Sequence, residues 1–307
     1  MIVRTGHPFE WEVRAPTAVT IGVFDGVHVG HRQVLSDLVE GAKAAALMPA
    51  VLTFDPHPLT IVAPEKAPPM LTSLSQRLDQ FRLLGVEMVG VLFFPDIRDL
   101  APHDFAHHVL AGVLRARRVV VGADFRFGRD RTGDVHALRA DGDALGFQVV
   151  VVDMLGQLDG VVSSTRIRQL LASGDVDRAA ALLARPYELT GRVVHGAHRG
   201  RSVGFPTANL EVPAGLLVPG DGVYAGTARL EGHSGPAVAN IGHRPTFDGT
   251  GRTVEIHLLD FDADLYGRDL AFAFRSRIRQ EVRFDSAGEL AEQIRKDVAR
   301  ARVLLEG

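Results

Sequence analysis

The strongest constraint on the fold lies between residues 17 and 152, where short β-branched runs alternate with helical patterns. TAVTIGVF, MPAVLTF, VEMVGVLFF, RRVVVG and GFQVVVVD are apolar on successive residues rather than on every second one. A strand of that kind has both faces buried, as in a parallel sheet covered by helices. Helical segments intervene. After Gly30, Val34, Leu35, Leu38 and Val39 recur at helical spacing; Ser73 and Gln76 form a capping-box signal before Leu78, Phe81 and Leu84; Pro102 opens a helix with Phe105, Val109, Leu110 and Val113 on one face. The alternation predicts a doubly wound, Rossmann-like parallel α/β domain, with ligands beyond the carboxyl ends of the strands.

Near residue 185 the pattern changes. After helical segments at Ser164–Leu171 and Val176–Leu183, Ala184-Arg185-Pro186-Tyr187 introduces a stretch rich in glycine, proline and strand signals. In TVEIHLLD, Val254, Ile256 and Leu258 alternate with Glu255, His257 and Leu259, as a strand with one buried face requires. YELTGRVV, GVYAGTARL and DLAFAFR repeat the signal, so residues 186–307 are expected to form a small antiparallel β-barrel. The chain closes with a helix. Ser286 and Glu289 make its capping box, and Leu290, Ile294, Val298 and Ala301 its apolar stripe. The expected domains are therefore 1–185 and 186–307.

Composition excludes several chemistries. With no cysteine, thiolate zinc sites and cysteine nucleophiles are out, and none of the three lysines, Lys43, Lys66 and Lys296, sits in a P-loop context. A net charge of -3 makes no case for nucleic acid or an anionic membrane. The basic N-terminal start lacks a long apolar core, and a cytoplasmic protein is expected. Self-association is left open.

The densest chemical signal is GVFDGVHVGH at 22–31, which joins the first strand to a helix. Gly22, Gly26 and Gly30 let backbone approach a ligand, the helix offers unpaired N–H groups, and His28 and His31 add donors, so the natural inference is anion binding. SSTRIR at 163–168 reads as a second helix N-terminus with hydroxyl and guanidinium donors; taken alone, S-S-T is more often just an N-cap. DPHP at 55–58 cannot continue a strand and forms a rigid turn. Phe125 and Phe127 read equally as ligand platform or core. His103 and His107, four apart, carry no accompanying carboxylate signature and read as a solvated face.

GVFDGVHVGH resembles the H-x-G-H signature of nucleotidyltransferases. With TFDPHP at 53–58, VGADFRFG at 121–128 and SSTRIR, the chain is similar to the adenylyltransferase module of bifunctional bacterial riboflavin kinase/FAD synthetases. The resemblance implies that His28 and His31 contact ATP phosphates while the FMN phosphate attacks, and that Gly22, Phe24, Asp25, Gly26, Gly30, Ser164, Thr165 and Arg168 belong to the ATP site. It also implies that Asp55, Pro56, His57, Pro58, Asp124, Phe125 and Phe127 line the flavin side.

The second half resembles the riboflavin kinase of the same family. GRSVGFPTAN at 200–209 is similar to the kinase signature, implying that Gly200 and Arg201 meet ATP and that Thr207 and Asn209 hold Mg²⁺ and nucleotide phosphates. A ribityl hydroxyl must lose a proton as it attacks, so a carboxylate base is useful, and the motif context of TVEIHLLD implies Glu255. IRQEVRF at 278–284 matches a segment that, by resemblance, brings Arg279 and Glu281 to the flavin; a structural salt-bridge patch is the other reading. The resemblance covers nearly the whole chain and implies riboflavin, FMN and ATP as substrates, FAD as product and Mg²⁺ as cofactor. Two departures stand out: Ala184, where the family usually has glycine, and DIRDL at 96–100.

Overall fold

The computed structural model describes residues 1–152, 156–157, 160–195, 204–246, 249–261 and 263–306. Its contacts divide the chain into two compact units, Met1–Ser164 and Thr165–Gly307. The division lies ahead of the start of the all-β stretch near 185, because helices α6 (Ser164–Ser173) and α7 (Val176–Leu183) attach to the second unit. There Asp177 accepts from the Ser276 hydroxyl at 3.0 Å and the Ser173 carbonyl from Arg277 at 3.0 Å.

The first unit is built on a six-stranded sheet of order β1-β4-β3-β2-β5-β6, every pairing parallel. The strands are β1 (Ile2–Arg4), β2 (Thr17–Ile21), β3 (Met48–Phe54), β4 (Met88–Leu92), β5 (Ala116–Gly122) and β6 (Gln148–Val152). All residues of β2 and β4 are buried, as the unbroken apolar runs require. Strand β1 has no counterpart in the sequence reading; it is three residues long and largely exposed, too short to show a pattern. One apolar cluster, with Val19, Leu52, Leu110 and Val119, packs one face of the sheet, and another, with Ala18, Leu35, Leu38 and Val51, packs the other. Because β3 and β5 flank β2 on opposite sides, chain direction along the sheet reverses there. The crevice at the carboxyl ends of β2 and β5 is the topological switch point.

Helix α1 (Val29–Ala44) follows β2, α2 (Pro58–Val62) follows β3, and α3 (Leu74–Leu83) starts on the complete Ser73–Gln76 capping box. The helix opened by Pro102 (α4, Pro102–Asp104) continues as a π-helix over Phe105–Val113. Its wider winding buries the adjacent pairs Phe105–Ala106 and Val109–Leu110 and leaves Val113 only partly buried. His103 on α4 meets Asp141 of α5 (Val135–Leu145) at 2.7 Å, a carboxylate partner supplied by tertiary contact. Strands β7 (Gly156–Gln157) and β8 (Gly160–Val161) pair as a short antiparallel ladder.

The second unit is a closed antiparallel barrel of order β10-β13-β12-β11-β14-β9. It is formed by β9 (Glu188–Val194), β10 (Ala208–Glu211), β11 (Gly222–Leu230), β12 (His233–Thr246), β13 (Gly249–Leu258) and β14 (Asp269–Arg279). Tyr224, Phe272, Phe274 and Ile256 fill its interior. The terminal helix α8 (Ala287–Glu306) lays Val298, Ala301, Leu304 and Leu305 against Val223, Ala225 and Val238. Its buried face also carries Asp297, a residue the apolar stripe does not announce.

Candidate active sites

In the first unit, the segment after β2 turns sharply before α1. Phe24, Gly26 and Val27 have φ of 52°, 83° and 41°. The left-handed region costs a non-glycine residue about 1–2 kcal/mol, and a β-branched valine is especially unsuited to it, so surrounding bonds must hold the turn. Asp25 supplies them. Its carboxylate, 3% exposed, accepts from the backbone N–H of Leu71 at 2.9 Å and of Thr72 at 3.1 Å, and the Thr72 hydroxyl accepts from the Gly26 N–H at 3.0 Å. The Asp25 carbonyl accepts from the Ser164 hydroxyl at 2.9 Å, which brings Ser164 to the first cradle. Thr165 and Arg168 lie past the unit division, and their assignment to ATP rests on the motif.

His28 is the N-cap of α1. Its Nδ1 accepts from the His31 backbone N–H at 3.3 Å, which leaves the proton of the neutral ring on Nε2. The two rings stack at 3.6 Å with 16° between their planes, and Phe24 meets His31 edge-on at 5.2 Å. Burial first, and His28 second, push the His31 pKa well below its ordinary value. A neutral His31 on the N-terminal turn keeps a buried Nδ1 without a protein hydrogen-bond partner. The turn therefore presents imidazole nitrogens and helix N–H groups together, a donor-rich environment for phosphate.

The Asp55-Pro56-His57-Pro58 turn follows β3, with a cis bond between Asp55 and Pro56, and His57 caps α2 by accepting from Leu59 N–H at 3.1 Å. It is tied to the cradle by Arg77, a residue the sequence reading passed over. Arg77, which follows Gln76 of the capping box, is fully buried on α3. Asp124 is exposed beyond the end of β5, and Phe125 is half-buried. Phe127, 6% exposed, belongs to the core, and Phe125 stacks on it at 5.5 Å.

In the second unit, Asn209 of β10 lies opposite Glu255 of β13, and Glu255 lies opposite Asn240 of β12. Directly paired residues share a face, so three polar side chains form a row across adjacent strands, each partly exposed. Thr207 precedes β10 and lines a cavity of about 380 Å³ with Pro206, Ile256, Phe261 and Tyr266. Gly200 and Arg201 lie outside the described residues. Further along β12, Gly242 seats the Glu281 carboxylate, which a Cβ there would strike. Glu281 also lines an open cavity with Asp221, His243, Arg252 and Arg277. Arg279 turns to α8 instead: its Nε and Nη2 donate to Asp297 at 3.0 and 2.8 Å, the salt-bridge arrangement that the sequence held as one of two readings.

Both parts of the chain match known families. Residues 11–166 match the FAD synthetase family and residues 183–305 the riboflavin kinase family. The bifunctional riboflavin kinase/FMN adenylyltransferase of Pseudomonas fluorescens is 41% identical, covering 99% of this chain and 97% of that protein. The chain belongs to the bifunctional riboflavin kinase/FMN adenylyltransferase family. Enzymes of the same description from Escherichia coli K12 and Bacillus subtilis are 39% and 36% identical, covering 98% and 95% of this chain and 96% and 93% of their own. A solved structure described as a macrolide-efflux protein of Streptococcus pneumoniae superposes with a TM-score of 0.89 at 30% identity, covering 98% of this chain and 99% of that one. That description belongs to that protein. Among the described residues here, no helix is long and apolar enough to cross a membrane.

Proposed function

We propose that residues 1–185 carry the adenylyltransferase and residues 186–307 the kinase of this family. The chain is a riboflavin kinase and FMN adenylyltransferase: riboflavin becomes FMN, and FMN becomes FAD. The observation that supports the layout most is that the first unit carries an imidazole pair on a helix N-terminus and the second the Asn209–Glu255 pairing.

In the kinase reaction the ribityl 5′-hydroxyl attacks the γ-phosphorus of ATP, ADP departs, and the hydroxyl proton passes to Glu255. A positioned base of this kind contributes about 10²–10⁴-fold. The Thr207 hydroxyl, which lines the cavity, and the Asn209 amide oxygen, two residues on at the start of β10, are hard oxygen donors of the kind that suits Mg²⁺. When bound, Mg²⁺ offsets the charge of the nucleotide phosphates. Glu281, seated on Gly242, is assigned to the flavin side.

In the adenylyl transfer an FMN phosphate oxygen attacks the α-phosphorus of a second ATP and pyrophosphate leaves. The nucleophile is already ionised, so the protein contributes alignment and charge stabilisation rather than a base. His28 donates from Nε2, and His31, Gly30 and the first turn of α1 complete the cradle. The Asp55–Pro58 turn, Asp124 and Phe125 are assigned to the flavin. The test is chromatography of products from riboflavin, ATP and Mg²⁺. Glu255→Ala should abolish FMN formation and leave FMN-to-FAD conversion, whereas His28→Ala with His31→Ala should do the reverse; wild-type protein giving neither FMN nor FAD would overturn the reading.

A further inference from the structure

Arg77 is the largest fully buried side chain among the described residues, and none of the chemistry above uses it. Burying a guanidinium is costly, and arginines are seldom fully enclosed unless their donors are spoken for. Here Nη1 shares its hydrogens among the Val23 carbonyl at 2.9 Å, the Thr53 hydroxyl at 3.0 Å and the Phe54 carbonyl at 2.9 Å. Nη2 donates to Asp55 Oδ1 at 3.1 Å. The Thr53 hydroxyl in turn donates to the same Val23 carbonyl at 3.1 Å. Nε has no partner, and Asp55 is itself 47% exposed, so the arrangement is poor as a device for stability alone.

The partners fall on two segments. Val23 belongs to the phosphate cradle and immediately precedes the left-handed turn at Phe24, whereas Phe54 ends β3 and Asp55 begins the turn assigned to the flavin. A planar fork spans both at once, which a point-like ammonium cannot do.

We propose that Arg77 is a positioning residue for adenylyl transfer, fixing the Asp55 turn against the Val23 segment so that the flavin phosphate and the α-phosphorus are held in one frame. This rests on the adenylyltransferase reading of the site. The effect belongs in kcat, since a misplacement of about 1 Å between reacting groups costs on the order of 10²-fold.

The experiment measures FMN-to-FAD conversion at saturating FMN and ATP for Arg77→Leu, Arg77→Lys, Asp55→Asn and Arg77→Leu/Asp55→Asn. Rates are expressed per folded protein, with Trp11 emission giving the folded fraction. We expect kcat to fall about 10²-fold in Arg77→Leu and about 10-fold in Arg77→Lys, with KM for FMN and ATP each changing less than about threefold. In the double variant, Asp55→Asn should add little to the loss, because the two residues act as a unit. Wild-type kcat in folded Arg77 variants, or an Asp55→Asn effect that multiplies in full, overturns the proposal. So does failure of both Arg77 variants to fold, which makes the residue a core element only. If the wild-type protein makes no FAD, the adenylyltransferase reading fails first, and the two failures are thereby distinguished.

Discussion

Asp297 on α8 is 3% exposed and accepts from Arg279 Nε and Nη2 and from Gln293 Nε2 at 2.9 Å. Replacing it with alanine leaves a guanidinium whose side chain is only 20% exposed without its carboxylate partner. Breaking a buried pair from one side costs about 3–5 kcal/mol, and the residual exposure of Arg279 points to the lower end, about 3 kcal/mol. With an m-value of about 2 kcal/mol/M, the urea midpoint should fall by roughly 1.5 M. The protein supplies its own reporters. Its one tryptophan, Trp11, lies in the first unit, and its three tyrosines, Tyr187, Tyr224 and Tyr266, all lie in the second. Tyrosine signals therefore follow the barrel unit, where the shift is expected. Asp297→Asn, which keeps an acceptor but loses the charge, should lose about half as much. Arg279→Met with Asp297→Leu should recover most of the loss, because an apolar replacement of both partners removes the unpaired charge. A shift below about 0.3 M in Asp297→Ala, or a double variant no better than the single, would refute the assignment of this pair as the clasp of α8.

Three further outcomes are expected. His31 has its pKa held below the unfolded value of about 6.5, so the unfolded chain binds a proton that the native state refuses as pH falls. Its contribution is intact above that value and lost below it, and the Trp11 transition should weaken between pH 7.5 and 5.5 by less in His31→Gln than in wild type. At Gly90 in β4, a Cβ would stand 2.5 Å from Trp11 Cζ3 and 2.7 Å from Leu52 Cδ2, so Gly90→Ala should cost about 1–3 kcal/mol and alter Trp11 emission. Ala184 caps α7 at φ 55°, so Ala184→Gly should stabilise the protein by about 0.5–1 kcal/mol, read in a thermal melt.

The Ala184 cap shows how far sequence reaches. The family's usual glycine marks a left-handed position, and the structure supplies the φ that explains it. The strands β2 to β6 were legible because unbroken apolar runs have one physical use, burial on both faces. The Ser73–Gln76 capping box was legible because its bonds are local. Arg77 was not, since its position on α3 looks like any polar helical site until β3 and the Val23 segment close around it.

By itself, the sequence determined the alternation of strands and helices, the change to a β-barrel, and the motifs whose chemistry is contained in nearly consecutive residues, such as the Ser73–Gln76 capping box and the His28–His31 spacing. The tertiary structure decided what depends on partners distant in the chain: that Arg279 faces Asp297, that Glu255 lies between Asn209 and Asn240, and that Asp25 builds the cradle through Leu71 and Thr72. The physical reason is that periodicity reports burial, whereas the partner of a buried charge is fixed only when separate segments pack together.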